Sequence, residues 1–430
     1  VKPSSDHQRA WYFLHIPKTA GTTFRVLLEN HFHLDEICPA YEFYQIKQYS
    51  DEQLSGFRLF RGHMGYNLVN YLPVTPRVML MLRDPMERAV SHFEYIRRDP
   101  AHPRHALIHE QGMGLKEYLL DPVLSTEISN AQVRPLAHLA DRGLLSELLD
   151  DTHSQDEFAR AWRHRDRVLP PQDELLEVAL RRLETMDFVG IAEELDKGME
   201  LAAWKLGAPA PQQLQSLNIN PGRTRLEALP DDVLELLRQA TVLDRQLYAR
   251  GRARFEQQYR EMRDAQRAGQ TGQTCAAAPK VTEDRLVVDF LQPLCGSGWH
   301  QRELVPGKGI LRWTGPGCSS DIHVTLPGGR DYHLHIVLAD WLDDELLREL
   351  SVTLNGVSAA AELLQQGEEI RLQVRVPASL LASGDNRLRV GLETPCTGVR
   401  GGEENSGAID HNHARKLGVA VYRFEFMSLF

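Results

Sequence analysis

Four short apolar runs punctuate the first half of the chain: WYFLHI (11–16), FRLFRG (57–62), RVMLMLR (77–83) and MDFVGIA (186–192). Each has the length of a strand. The third is apolar almost throughout, as a strand buried on both faces of a parallel sheet would be. Between the runs the spacing changes to the helical period. In TFRVLLENHF, Phe24, Leu27, Leu28 and His31 fall on one face, and in PMERAVSHFEYIRR, Met86, Ala89, Val90 and Phe93 do the same. Strand alternating with helix predicts an open, mostly parallel α/β sheet. Residues 140–183 and 231–266 read as charge-rich helices. AGQTGQTCAAAPK (268–280) is small and polar and predicts a linker. Beyond it the period turns to two. RLVVDF, DIHVTL, YHLHIVLA, LSVTLNG, IRLQVRV, NRLRVGLE and VAVYRFEF recur with Gly, Asp and Asn between them, which predicts an all-β domain, a sandwich. The expected division is a domain over 1–270, a linker over 271–280 and a β-sandwich accessory domain over 281–430.

At 430 residues the chain is long enough for two or three cores. The hydrophobic content of 42% and charged content of 25% are those of a globular protein. A formal charge of −10 argues against a nucleic-acid carrier, and no run of 18 apolar residues is present to span a membrane. The five cysteines are scattered, with neither a CxxC nor a zinc spacing. Cys295–Cys318 and Cys318–Cys396 stay open as pairings, and a reducing compartment is the expectation. The chain opens VKPSSDHQRAW, without a methionine, so an upstream targeting or anchoring segment also stays open.

The chemistry concentrates where the apolar runs end. YFLHIPKTAGTT (12–23) reads as a strand running into a loop and then a helix. A Walker loop needs its lysine after the last glycine. Here Lys18 precedes Gly21, so a nucleotide triphosphatase or kinase fails on order. The physics of an anion site survives. Pro17 stiffens the turn, Gly21 permits close backbone approach, and the amides of Thr19, Ala20, Gly21, Thr22 and Thr23 lie where a helix opens, with Lys18 adding a mobile charge. The alternative is a plain turn with a solvated lysine. The third run ends at Arg83, followed by Asp84 as N-cap and Pro85 at the first helical position. Arg83 then faces the crevice where open α/β sheets bind ligands. Ser91 lies two turns into that helix, and Arg88 is either a further contact or a structural ion-pair partner of Glu87 or Asp84. Two anion holders at two strand ends imply a ligand with two separated anionic groups.

These motifs resemble those of sulfotransferases that use 3′-phosphoadenosine 5′-phosphosulfate (PAPS). HIPKTAGTT (15–23) is similar to the 5′-phosphosulfate loop of that family, and LRDPMERAVSHF (82–93) to its 3′-phosphate strand and helix. Their form is closest to the Golgi and bacterial carbohydrate branch, particularly the uronyl 2-O-sulfotransferases. FRGHMGY (60–66), SNAQVRPLAHL (129–139), FVGIAEELDKGMELAA (188–203) and DRQLYARG (244–251) are further matching pieces. The resemblance covers roughly residues 10–260.

The resemblance implies a P-loop-kinase-like parallel sheet with flanking helices and no metal requirement. Lys18 would hold the phosphosulfate and stabilise the leaving oxygen, while Arg83 and Ser91 would hold the 3′-phosphate. In NPGRTR (220–225), Arg223 or Arg225 would add a phosphate contact. His63, in a Gly-His pair after the second strand, would be the catalytic base, with Arg61 standing where relatives carry a histidine. A histidine suits removal of a proton from an alcohol. Arg97 and Arg98 either contact an acidic acceptor or complement the helix dipole.

The expected function is sulfuryl transfer from PAPS to a hydroxyl of a small or oligomeric carbohydrate, releasing 3′-phosphoadenosine 5′-phosphate (PAP). The alternatives are a carrier-bound β-hydroxyacyl chain or another metabolite as acceptor, and, in a different class, a non-catalytic glycan-binding protein. The expected compartment is the bacterial cytoplasm, or the Golgi lumen if an N-terminal anchor has been removed. The resemblance does not extend to residues 281–430, which look like accessory sandwiches of sugar-processing enzymes. There, Trp299 and Trp313 are either sugar-stacking platforms or core.

Overall fold

A computed structural model describes residues 9–150, 168–207, 224–269 and 284–429, with breaks at 308, 316, 343, 368, 382–384, 395–398, 401–414 and 417. The chain divides into two compact units, one of Val1–Arg25, Asp35–Lys205 and Ile219–Thr271, the other of Val26–Leu34, Leu206–Asn218 and Gly272–Phe430.

The first unit is built on a four-stranded parallel sheet in which all four apolar runs become strands: β1 (Trp11–Leu14), β2 (Leu59–Gly62), β3 (Arg77–Leu82) and β4 (Phe188–Ile191). Their order is β2-β1-β3-β4. β1 therefore runs between β2 and β3, with Leu14 opposite Gly62 on one side and Leu80 on the other. Tyr12, Phe13, Leu14, Met79, Leu80 and Met81 are fully buried, which accounts for the apolar centres of these two strands, β1 and β3.

Helix α1 (Gly21–Glu29) follows β1, and α2 (Pro85–Arg98) follows β3. The Asp84 carboxylate caps α2, accepting from the amides of Met86 and Glu87 at 3.0 Å each, with Pro85 at the first helical position. Ala89, Val90, Phe93 and Ile96 form its buried stripe. The long polar helix α3 (Val242–Arg267) buries only Leu247, Phe255, Met262 and a few small or polar residues. One of these is Gln258, whose side chain accepts from Val189 N–H and donates to the carbonyls of Met186 and Asp187, satisfying the backbone beside β4. The predicted helical stretch 140–183 contains helices at Arg142–Asp150 and Leu175–Thr185, with 151–167 outside the described residues. Most of the expected linker is outside them as well.

The second unit is antiparallel and sandwich-like. One sheet takes the order Ala361–Gln366, Glu369–Val376, Tyr332–Trp341, Val419–Ser428, Gly309–Trp313, Glu303–Val305, with Arg285–Asp289 also paired to Val419–Ser428. The other runs Val357–Ala359, Ser351–Leu354, Asp385–Glu393, Ser319–Pro327, Gly296–Ser297. Alternate residues of both, among them Val324, Leu334, Ile336, Val352, Val374, Val390 and Phe426, share one core. Trp299 and Trp313 are part of the interior, 7% and 4% exposed, and the Trp299 indole donates to the Asp321 carbonyl at 2.8 Å. Neither presents a face to a sugar, so of the two open readings the structural one holds. Cys318 is disulfide-bonded, whereas Cys38 and Cys295 are buried thiols. The Cys295–Cys318 pairing is thereby ruled out.

Candidate functional site

In a parallel sheet all the carboxyl ends lie on one edge, and the order β2-β1-β3-β4 opens a crevice there. The chain leaves β1 towards β2 and leaves β3 towards β4, so the two connections part between β1 and β3. Lys18 follows β1 and Arg83 follows β3. The Arg83 guanidinium donates through Nη1 to the Lys18 carbonyl at 3.0 Å, and its Nη2 lies 3.7 Å from Glu87.

The loop between β1 and α1 is backbone-strained. Lys18 and Ala20 have φ of 70° and 63°, left-handed values uncommon for residues with a Cβ. Such alternation turns successive amides towards one side, the geometry of an anion nest. Thr19 is fully buried and its hydroxyl donates to the Ile16 carbonyl at 2.9 Å, so its side chain closes the loop and only its amide is left to face a ligand. Thr22 is half-buried and Thr23 buried in the first turn of α1.

The loop is packed against an imidazole. A Cβ on Gly21 would lie 2.0 Å from Nε2 of His15, so this position admits only glycine while the ring stays in place. His15 is held by the Tyr41 hydroxyl at 2.7 Å from Nδ1, and its ring centroid is 4.5 Å from that of His63. Burial, together with the neighbouring His63, Arg25 and Lys18, keeps His15 well below the usual histidine pKa.

His63 comes immediately after β2. Gly62 before it has φ of 145°, and a Cβ there would fall 1.9 Å from the Tyr41 carbonyl oxygen. The His63 Nδ1 is 2.8 Å from the His15 carbonyl oxygen. A carbonyl only accepts, so Nδ1 carries the proton and Nε2 keeps the lone pair. Burial lowers the His63 pKa to about 4. At neutral pH the ring is therefore neutral, with Nε2 the basic nitrogen. Arg61 is occupied in holding the preceding segment, donating to the carbonyls of Cys38 (2.7 Å) and Ala40 (3.1 Å). The second imidazole beside His63 is His15, the residue that follows β1.

One face of α2 lies along the same loop. Arg88, only 1% exposed, donates to the Pro17 carbonyl at 3.3 Å and to the carbonyls of Glu127 and Ile128 at 3.4 Å, so the anticipated pairing with Glu87 or Asp84 is replaced by carbonyl contacts. Burial lowers its pKa to about 10. Two turns on, the Tyr95 ring receives the Lys18 ammonium at 4.4 Å from its centroid. Ser91 lies on the helix between these two loop contacts, at i+3 from Arg88 and i−4 from Tyr95. Arg97 and Arg98 end the helix and are turned to Glu94, Arg97 on its carboxylate at 2.7 Å and Arg98 on its carbonyl at 3.1 Å. Glu94 also accepts from the Thr224 hydroxyl at 2.9 Å. Arg223 lies outside the described residues, and Arg225 is exposed.

Several residues that support Arg83 were not singled out from the sequence. Fully buried Gln132 pairs with the Arg83 backbone on both sides, accepting from its N–H at 3.0 Å and donating to its carbonyl at 2.8 Å. The amides of Gln132 and Val133 are in turn held by the buried Asp244 carboxylate at 2.8–3.1 Å. Burial raises the Asp244 pKa to about 6 against the pull of Arg88 and these amides. Glu193, just past β4, accepts from the Asp84 N–H at 2.9 Å and from the Tyr248 hydroxyl at 3.0 Å. The signal lay in SNAQVRPLAHL, FVGIAEEL and DRQLYARG, three scattered pieces that converge on two consecutive residues, Arg83 and Asp84. Among the described residues no group of three or more His, Cys, Asp or Glu could hold a metal ion, and no helix is long and apolar enough to cross a membrane.

The fold and site thus define a parallel α/β unit with a basic, strained loop at its switch point, joined in one chain to an antiparallel β unit. No family model matches the chain. It is similar to a protein-tyrosine sulfotransferase of Arabidopsis thaliana, 23% identical over 269 residues. That match covers 48% of this chain and about half, 51%, of the plant protein. Among solved structures, a family 35 carbohydrate binding module from Clostridium thermocellum matches 34% of this chain and 100% of its own, at 10% identity and a TM-score of 0.23. A Podospora anserina GH26-CBM35 β-(1,4)-mannanase matches 34% of this chain and 28% of its own, at 11% identity and a TM-score of 0.22. Scores this low fix neither fold nor ligand.

Proposed function

We propose that the chain is a sulfotransferase, binding PAPS in the crevice between β1 and β3 and passing its sulfuryl group to an acceptor hydroxyl. The observation that carries this reading is the meeting of Lys18 and Arg83 on adjoining strand ends, where the buttressed Arg83 guanidinium donates to the Lys18 backbone carbonyl at 3.0 Å and so brings two cationic side chains to one loop. In this reading residues 18–23 take the 5′-phosphosulfate, Arg83 and Ser91 take the 3′-phosphate, and Arg223 adds a contact. Kinship with P-loop kinases belongs to the same reading, supported by the strand order and the loop between β1 and α1. The similarity to the plant sulfotransferase supports it independently.

Sulfuryl transfer is an in-line displacement with charge developing on the leaving oxygen, and PAPS supplies the activated group. His63 Nε2 receives the acceptor proton, and its bond to the His15 carbonyl holds the ring in the basic tautomer. Lys18 supplies positive charge at the leaving oxygen, so the reading asks for no metal. The plant relative, by its name, acts on protein tyrosine, whose acceptor group is a phenol. We therefore place a phenol or another non-carbohydrate hydroxyl ahead of a sugar as acceptor. Arg97 and Arg98 would meet an acidic acceptor by exchanging partners with Glu94. The disulfide at Cys318 favours an oxidising compartment over the cytoplasm.

Calorimetric titration with PAP, with and without magnesium, tests the donor site. The expected result is metal-independent binding that Arg83→Ala weakens. His63→Asn, which retains a donor for the His15 carbonyl, is expected to lower turnover about 10²–10⁴-fold with PAP affinity unchanged. A folded protein that ignores PAP overturns the donor reading. Binding on a glycan array would then favour the second reading, a glycan-binding protein.

A further inference from the structure

The Lys18 ammonium has a specific resting place. It stands 4.4 Å above the centroid of the Tyr95 ring, within the range of a cation–π contact. The lysine backbone is fixed at both ends of this arrangement. Its φ of 70° sets the direction in which the side chain leaves the loop, and its carbonyl is held by Arg83. The ring is fixed as well. Tyr95 is half-buried on α2 and packs edge-on against His102, 5.6 Å between centroids at 83°. Burial holds His102 below the ordinary histidine pKa, so a neutral ring, not a second cation, backs the tyrosine. Tyr95 lies on the helix face that carries Arg88 and Ser91, the strip along the loop.

We propose that Tyr95 is a positioning residue for Lys18, a seat that keeps the ammonium on the α2 side of the loop until a ligand with an anionic sulfuryl or phosphoryl group draws it off. This rests on the donor reading above and adds a consequence to it. Affinity for the donor and the readiness of Lys18 to support the leaving oxygen are both set against the attraction of the ring. An aromatic face holds a cation through its quadrupole, without a hydrogen bond. Phenylalanine therefore keeps the seat, and leucine, of similar bulk but without the quadrupole, does not.

Ring current makes the seat visible without any ligand. In full-length protein labelled with ¹³C-lysine, the Lys18 ε-methylene signal, assigned through Lys18→Arg, is expected upfield of the other lysines. Tyr95→Phe should keep that shift and Tyr95→Leu should abolish it. Titration of the wild type with PAP should move the signal back towards the ordinary position. Calorimetry should then find PAP bound about 2- to 30-fold more tightly by Tyr95→Leu than by Tyr95→Phe, the range a cation–π contact spans. An unshifted Lys18 signal in the wild type overturns the seat, and equal PAP affinities of the two variants overturn its coupling to the donor. The wild-type spectrum decides the first point even if Tyr95→Leu does not fold. A shifted Lys18 signal in a protein that never binds PAP would uphold the seat and reject the donor reading.

Discussion

Gln132→Met isolates the support of Arg83 from Arg83 itself. Methionine matches glutamine in length and volume, so the change leaves little cavity and removes two hydrogen bonds. The glutamine is fully buried, and both bonds go to the Arg83 backbone, at 3.0 and 2.8 Å. Arg83 is half-buried at the strand end, so solvent recovers part of the loss. With a fully orphaned backbone group costing about 1–3 kcal/mol, the variant should lose about 1–3 kcal/mol of unfolding free energy in all. That is a large share of the 5–15 kcal/mol usual for a domain, and urea titration resolves it easily. The effect on function follows from the same geometry. Once its backbone is released, the Arg83 guanidinium no longer has a fixed origin. Losing one charge-assisted hydrogen bond to a phosphate, worth about 1.5–3 kcal/mol, corresponds to about a 10- to 150-fold weaker PAP affinity. The assay is urea unfolding of wild type and variant beside calorimetry with PAP. A variant within about 0.5 kcal/mol of wild type, the usual range for a neutral surface change, would falsify the assignment of Gln132 as the clamp.

Gly21→Ala should destabilise the first unit by about 1–3 kcal/mol, because the added Cβ overlaps the His15 ring at 2.0 Å. His15→Ala in the same chain opens the space, so a double-mutant cycle should return a favourable coupling, and strictly additive losses would sink the explanation. Stability should also fall as pH drops from 7 to 5. His31, His63, His92 and His138 have pKa values pushed by burial to about 4, so they stay neutral in the native state and take up protons on unfolding below about 6.5. Their contribution is complete above 6.5 and is lost as pH falls towards 4. Asp244, raised to about 6, has the opposite sign, since its native carboxyl protonates before the unfolded one. The net uptake on unfolding near pH 5.5 is about two to three protons. Denaturation midpoints at pH 7, 6 and 5 that stay level or rise would contradict this balance.

Much of the fold was legible because the periods are local. The four apolar runs became the four parallel strands, and seven period-two segments became strands of the β unit. The strand Ala361–Gln366 escaped because AELLQQ lacks the β-branched and aromatic residues by which strands are recognised; it is defined by its pairing with Glu369–Val376. Trp299 and Trp313 were ambiguous for a related reason. Composition does not distinguish an exposed aromatic platform from a core tryptophan, and only the sheet around Trp299 shows that its N–H is satisfied by Asp321.

The site divides along the same line between local and relational information. Gly21 and the Asp84-Pro85 helix start could be read from the sequence because each states a backbone requirement within a few residues. Gln132, Asp244 and Glu193 could not, since a glutamine or a carboxylate in a loop or on a polar helix reads as solvated until its partner is known. Their partners are 49, 111 or 112, and 109 positions away. What unites them is a physical demand created by Arg83 and Asp84. The connection after β3 leaves the sheet at that point, so its backbone groups lose their ladder partners where the donor-site proposal requires a charge to be held steady. Satisfying those groups with side chains that are themselves buried and bonded fixes the guanidinium without lengthening the strand, and leaves the end of the sheet open. The buried carboxylate of Asp244 is the least favourable member of that arrangement in its own right. Its persistence beside Arg88 is understandable only as support for the segment that carries Gln132.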